Sequence, residues 1–175
     1  KCLTNTAISE IFNLCLEVKD KYIHILYTIK GKDEKCFINH HFYDGANWND
    51  ILVDEISVKK VINPMKAVFM DEKLLLVYYR DQYKISIKSF SVEEAKWTLP
   101  TSLVSGDNEK LFLDVLILDK NIHLCFCEYV YGNLVVKHYK FRGESDNYNL
   151  ITEDYISNEG SPSHPSIIYF KNELW

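Results

Sequence analysis

A chain of 175 residues is long enough for one domain with a sizeable core, and its 47% hydrophobic and 26% charged residues are the balance of a globular protein rather than a disordered one. Twenty-five acids against 20 Lys and Arg give a net charge of −5, with arginine only at Arg80 and Arg142, which disfavours nucleic acid as a partner. No apolar run approaches the ~20 residues that cross a bilayer and residues 1–10 lack a signal-peptide apolar core, so a soluble chain with no membrane partner is expected.

In chain order, residues 2–9 read as the last strand of a unit whose beginning lies upstream. Runs rich in Tyr, Phe, Ile and Val then mark strands near 11–18, 22–29, 35–43 and 51–57, broken by Asp20-Lys21, Gly31-Lys32-Asp33 and Asp44-Gly45-Ala46-Asn47. A second set falls near 65–70, 74–80, 84–91 and 98–104, and a third near 111–118, 122–129, 134–141 and 149–157. A fourth begins at His164-Pro165-Ser166-Ile167-Ile168-Tyr169-Phe170, echoing Asn63-Pro64-Met65-Lys66-Ala67-Val68-Phe69. Beginning at Lys1 and stopping at Trp175 in an apolar segment, the chain reads as part of something longer.

These sets are copies of one unit. Asp20, Ile23 and His24 recur as Asp119, Ile122 and His123, with Asp71 between them, so the period is near fifty residues. Trp48, Trp97 and Tyr148 keep the same step. The second strand of each unit is apolar at odd and even positions alike (Ile23, Ile25, Tyr27 against Leu26; Leu74, Leu76 against Leu75, Val77), which predicts burial on both faces. A sandwich strand would show one wet face, whereas a blade lying between two blades shows none. The fourth strands carry more charge, as Asp54, Glu55, Glu153 and Asp154 illustrate. The expected fold is therefore all-β: four-stranded antiparallel blades of a β-propeller, incomplete or closed by oligomerisation. The blades divide as a blade end at 1–10, blades at 11–60, 61–107 and 108–160, and the start of another at 161–175, in one partial propeller domain.

The segment Tyr43-Asp44-Gly45-Ala46-Asn47-Trp48 resembles the Asp-box pattern Ser-x-Asp-x-Gly-x-Thr-Trp, matching it at Gly45 and Trp48 and placing its acid, Asp44, one position late; His41, Tyr43 and Asn47 stand at its Ser, Asp and Thr positions. The chain is in this respect similar to Asp-box (sialidase-like) propellers and propeller lectins. That resemblance implies a fold rather than an activity. Sialidases of this kind use three arginines, a Tyr-Glu pair and an Asp, a set that Arg80 and Arg142 cannot complete.

Candidate binding residues are Trp48, Trp97 and Tyr148, whose rings suit stacking on sugars and equally suit packing. Arg80 and Glu128, at equivalent ends of second strands, suit a polar clasp between blades or a plain salt bridge. His24 and His123 repeat, which fits a structural hydrogen bond better than a catalytic base. His40 and His41 point to opposite faces, and His123, Cys125 and Cys127 spread over roughly 13 Å along a strand rising ~3.3 Å per residue, so no metal is expected. The odd set Cys2, Cys15, Cys36, Cys125 and Cys127 implies free thiols, through burial or a reducing compartment such as the cytoplasm. No catalytic or cofactor motif occurs. The functional expectation is a non-catalytic binding module for glycan or protein, with a fragment of a carbohydrate-active propeller enzyme and a self-assembling structural element as alternatives. Expected partners are a second copy as a homodimer, or the remainder of a parent chain.

Overall fold

A computed structural model describes residues 11–31, 35–57, 64–144, 146–157, 164–171 and 173–174. The strand expected at 2–9 lies outside them. The described residues form strands and turns without a helix, so none is long and apolar enough to cross a membrane. The chain divides into two compact units, Lys1–Val61 and Ile62–Trp175.

In the first unit β1 (Ile11–Lys19), β2 (Tyr22–Lys30), β3 (Lys35–Tyr43) and β4 (Trp48–Ser57) pair antiparallel in chain order, forming blade 1. The turn from β1 to β2 is tight because Asp20 takes φ of +53°, a left-handed conformation that Asp tolerates better than most residues. Asp71 and Asp119 do the same at +53° and +49°. Between β3 and β4 the chain turns on Gly45, at φ +97°, while Asp44 Oδ1 accepts hydrogen bonds from Ala46 N–H at 2.8 Å and Asn47 N–H at 2.7 Å. β4 starts at Trp48, opposite Tyr43, earlier than the sequence pattern indicates.

The second unit holds two larger sheets. In blade 2, β5 (Met65–Met70), β6 (Lys73–Asp81) and β7 (Lys84–Ser91) pair in order, and β7 then pairs with both β8 (Lys96–Trp97) and β9 (Thr101–Ser105). One continuous fourth strand was expected near 98–104. It is split because Pro100 has no N–H to give the ladder. In blade 3, β10 (Lys110–Leu118), β11 (Asn121–Val130), β12 (Asn133–Glu144) and β13 (Asn147–Ser157) pair in order. A short hairpin, β14 (Tyr169–Phe170) and β15 (Glu173–Leu174), follows.

Blades 1 and 3 share a register. Cys15 opposes Leu26 as Asp114 opposes Cys125, and Glu17 opposes His24 as Leu116 opposes His123, each pair 99 positions on, with a bulge at the same place in β1 and β10. Blade 2 follows suit, with Met65 opposite Tyr78 where Leu14 opposes Tyr27. Of Ile25, Leu26, Leu76, Val77, Leu124 and Cys125, expected to be inaccessible, all but the half-buried Ile25 are buried. The cores of blades 2 and 3 are therefore dry on both sides of their second strands, where burial is worth roughly 25 cal/mol per Å².

Candidate functional site

Along one edge of an antiparallel blade the first-to-second and third-to-fourth turns emerge together. In the second unit these turns enclose a hollow of about 800 Å³. Its walls come from the start of β6 (Lys73), the end of β7 (Ser89, Ser91), the turn after it (Glu94), β8 (Trp97) and the turn between β12 and β13 (Asp146). Lys96, Thr98 and Leu99 complete the rim.

Asp146 organises the hollow. It sits at φ +68° in its turn, and its Oδ1 accepts from Ser89 Oγ at 2.8 Å while Lys73 Nζ approaches Oδ1 at 3.0 Å and Oδ2 at 3.1 Å. Burial alone would raise this carboxyl. The hydrogen bonds from Ser89 and Lys73, with the Lys73 charge, outweigh burial and hold it below the usual carboxylate range. Asp146 is thus an ionised acceptor that ties blade 3 to blade 2. Two residues on, Tyr148 is half-buried and its phenol is pushed up to about 12, first by burial and then by Asp146.

The aromatic residues singled out from sequence differ in setting, each within its own unit. Trp97 lines the hollow but is only 7% exposed and tilts against Phe90 at 5.1 Å between ring centroids, so it serves as a wall. Trp48 is 39% exposed, with one ring face occupied by His41, stacked at 4.5 Å and 5°.

Arg80 and Glu128 part company as well. Arg80 is exposed, while Glu128 is buried on β11 and its two carboxylate oxygens meet Lys110 Nζ at 2.9 Å and Lys137 Nζ at 2.6 Å. Lys137 reaches on to Glu153 at 3.3 Å and lies 4.8 Å over the Tyr155 ring. Burial would raise the Glu128 carboxyl, yet hydrogen bonds from Lys137 and Lys110 keep it low. The ion pair of Glu128 is with lysines of its own blade.

The repeated histidines do make a repeated contact. His24 Nδ1 lies 3.0 Å from His40 Nε2, and His123 Nδ1 lies 3.0 Å from His138 Nε2, with both ring pairs stacked at 5.2 Å. One ring of each pair donates and the other accepts. Burial lowers His24 to about 4 and His40 to about 3, and His123 to about 4, so these rings are neutral near pH 7 and unsuited to hold a proton there. Cys125 and Cys127 are buried thiols raised to about 12 and 11, chiefly by burial, which removes them from nucleophilic chemistry. Among the described residues no group of three or more His, Cys, Asp or Glu is placed to hold a metal ion.

No family model matches the sequence. No curated protein matches it. Solved structures do match by fold. The catalytic domain of a Coprinopsis cinerea GH62 alpha-L-arabinofuranosidase aligns with 79% of this chain at a TM-score of 0.52 and 11% identity. Bacteroides ovatus GH43B, from a xyloglucan PUL, aligns with 81% of this chain at a TM-score of 0.49 and 13% identity, over 28% of its own length. The chain spans 48% of the GH62 domain, about half its length. The likeness to that propeller domain, with the four-stranded antiparallel blades, makes this chain an incomplete β-propeller.

Proposed function

We propose that the chain is a binding stretch of a propeller and that the hollow at Asp146 takes a hydroxyl-rich ligand, a glycan unit. The observation that carries this reading is the lining itself. A fixed carboxylate, a second acid at Glu94, the hydroxyls of Ser89, Ser91 and Thr98, and an apolar wall at Trp97 together offer acceptors and donors around an opening of about 800 Å³. Such a mixture matches the alternating hydroxyls and C–H faces of a sugar. Asp146 is ionised and paired with Lys73, which unfits it as a general acid, a group that must hold its proton near working pH. The Asp44-Gly45 turn, with its carboxylate capping two backbone N–H groups, supports an Asp-box-like role in holding blade 1 rather than in binding.

Glycan-array screening followed by calorimetry tests this. Ligands found on the array should lose at least about tenfold in affinity when Glu94→Ala and Ser91→Ala are combined, both lying at the rim. Absence of binding to every glycan on the array would defeat the reading. A second reading, part of a carbohydrate-active enzyme, draws on the likeness to the GH62 catalytic domain, and release of nitrophenol from an α-L-arabinofuranoside by this chain would favour it.

A further inference from the structure

One wall of the hollow at Asp146 is a row of side chains whose order follows from strand register. Where β7 meets β8, Ser91 opposes Lys96, and two residues further in Ser89 opposes Thr98, whose N–H donates to Ser89 O at 2.9 Å. Ser89 and Ser91 lie two apart on one strand and so point to the same face, with Thr98 and Lys96 as their neighbours across the ladder. A strand rises ~3.3 Å per residue, which sets the Ser89–Thr98 pair and the Ser91–Lys96 pair roughly 7 Å apart. Asp146 of blade 3 meets the inner pair through Ser89, and past the outer pair the chain turns through Glu94 at the rim.

Each pair keeps hydrogen-bonding capacity of both kinds. At the inner one, Ser89 Oγ has given its proton to Asp146 Oδ1 and retains lone pairs to accept, while Thr98 Oγ1 accepts from Ser89 N–H at 3.0 Å and retains its proton to donate. Asp146 Oδ2 takes a bond from Lys73 at 3.1 Å and has a second lone pair. At the outer one, Ser91 Oγ accepts from Glu94 N–H at 3.3 Å and also retains its proton, Lys96 brings its ammonium donors, and Glu94 adds a carboxylate at the exposed rim. The inner set is held from two blades and the outer set by one hairpin. An opening of about 800 Å³ lies towards the upper end of the roughly 300–1,000 Å³ that encloses a drug-sized molecule, the bulk of roughly two or three linked sugar rings.

We propose that the hollow is a groove of two subsites for linked sugars: Ser89, Thr98 and Asp146 take one unit, and Ser91, Lys96 and Glu94 take the next. This rests on the glycan reading above and adds chain length as the property selected. The separation of the two pairs is about the length of one sugar ring with its linking oxygen, so neighbouring units of one chain reach both sets together. A single sugar engages one set. A disaccharide engages both, and its second unit forms bonds without a second loss of translational freedom, a gain of at least about tenfold in affinity.

Calorimetry on the whole chain tests it with matched sugars of one, two and three units: the xylose, arabinose and glucose series, and the series that makes up the strongest array ligand. In the series that binds, the disaccharide should bind at least about tenfold tighter than the monosaccharide, and the trisaccharide no tighter than the disaccharide. Ser91→Ala with Lys96→Ala should bring the ratio of disaccharide to monosaccharide affinity to within about threefold of one. Lys96→Ala alone, at an exposed side chain, should lower that ratio at least about threefold and covers the case in which the double variant unfolds by circular dichroism. Thr98→Val, at the inner subsite, should weaken both sugars by a similar factor and leave the ratio as it is. A wild-type ratio near one, a ratio that survives the outer substitutions, or a further tenfold gain with the trisaccharide overturns the two-subsite arrangement while glycan binding stands. Absence of binding by every sugar here and on the array is a separate result, which defeats the underlying reading and the subsites with it.

Discussion

Blade 1 and blade 3 pair their first two strands in the same register, place a histidine pair at the same position and turn on an aspartate at the same φ region. The apolar stripes of their first strands nevertheless meet different surroundings. Blade 3 buries Leu113 and Val115 and seats Lys110, Glu128 and Lys137 together in its interior. Blade 1 has Ile11 and Ile29 at the positions of Lys110 and Glu128, and leaves Leu14 and Leu16 exposed. Strand pairing is therefore written locally into each unit, whereas the value of a side chain depends on whether a neighbouring blade arrives to cover it. An identical substitution at matched positions should have different costs, and that difference is measurable.

The largest contrast is expected for a charge placed in the stripe. Val115→Asp buries an unpaired carboxyl and should prevent stable folding of the second unit, while Leu16→Asp at the matching exposed position should leave the circular dichroism spectrum and urea midpoint intact. Equal destabilisation by the two would break the comparison.

Next in size is the lysine–glutamate cluster. Glu128→Ala leaves Lys110 buried without its counter-charge and Lys137 with only the more distant Glu153, and should cost about 3–5 kcal/mol in urea unfolding. Installing the residues of blade 1 by Lys110→Ile together with Glu128→Ile, and adding Lys137→Leu, should recover most of that loss, since an apolar replacement of a buried ion pair is often neutral or stabilising. Failure of the triple variant to recover would show that the cluster supplies more than mutual neutralisation.

A core truncation sharpens the same point at smaller scale. Leu124→Ala should cost about 2–5 kcal/mol, because Leu124 is fully buried. Ile25→Ala, at the register-matched position, removes a half-buried side chain and should cost about half as much or less.

Acid should separate the histidine pairs. His24 and His40 are held neutral by burial, at about 4 and about 3, so the unfolded chain binds protons before the folded one does. Their stabilising effect is full above the unfolded value of 6.5 and is lost as pH falls from there towards 4 and 3. Blade 3 places Asp154 Oδ2 3.4 Å from His138, a partner for positive charge on that pair. His24→Phe with His40→Phe should therefore flatten the stability profile between pH 6.5 and 4, by roughly 3 kcal/mol or more, and by more than the same change at His123 and His138. The smallest effect is expected at Gly45→Ala, about 1–2 kcal/mol from the left-handed φ, because the new Cβ meets only the flexible Lys21 side chain.

Much of the fold was legible in the amino-acid sequence because its signals are local. Asp20, Asp71 and Asp119 mark turns, and two-sided apolar runs such as Leu74–Tyr79 mark strands that lie between layers. The split of β8 from β9 follows from Pro100, a local signal that the strand pattern overrode. The hollow was not legible. Asp146 meets Ser89 and Lys73 from 57 and 73 positions away, and no spacing in the chain announces such a meeting. Trp97 was found through its repeat position, but its role as a wall depends on Phe90 behind it. Glu128 was found as a charge at the end of a second strand, while its partners Lys110 and Lys137 lie on the strands either side, a pairing that only register reveals.

The two-residue turn from first to second strand, present in all three blades, has a consequence for how the chain acquires its structure. Within blades 1 and 3 every strand pairs with the one before it in the chain. Closing such short loops costs little entropy, and hairpins of this kind form in roughly 1–10 μs. Each four-stranded sheet can then assemble from neighbours as it leaves the ribosome, without waiting for distant sequence. Contacts between blades, such as Asp146 on Ser89 and Met70 against Gly143, span many more residues and belong to a later, slower step. A pulse of hydrogen exchange during refolding should thus protect the amides of the β10–β11 hairpin before the amide of Ile167, which donates to Asp114 from 53 positions away.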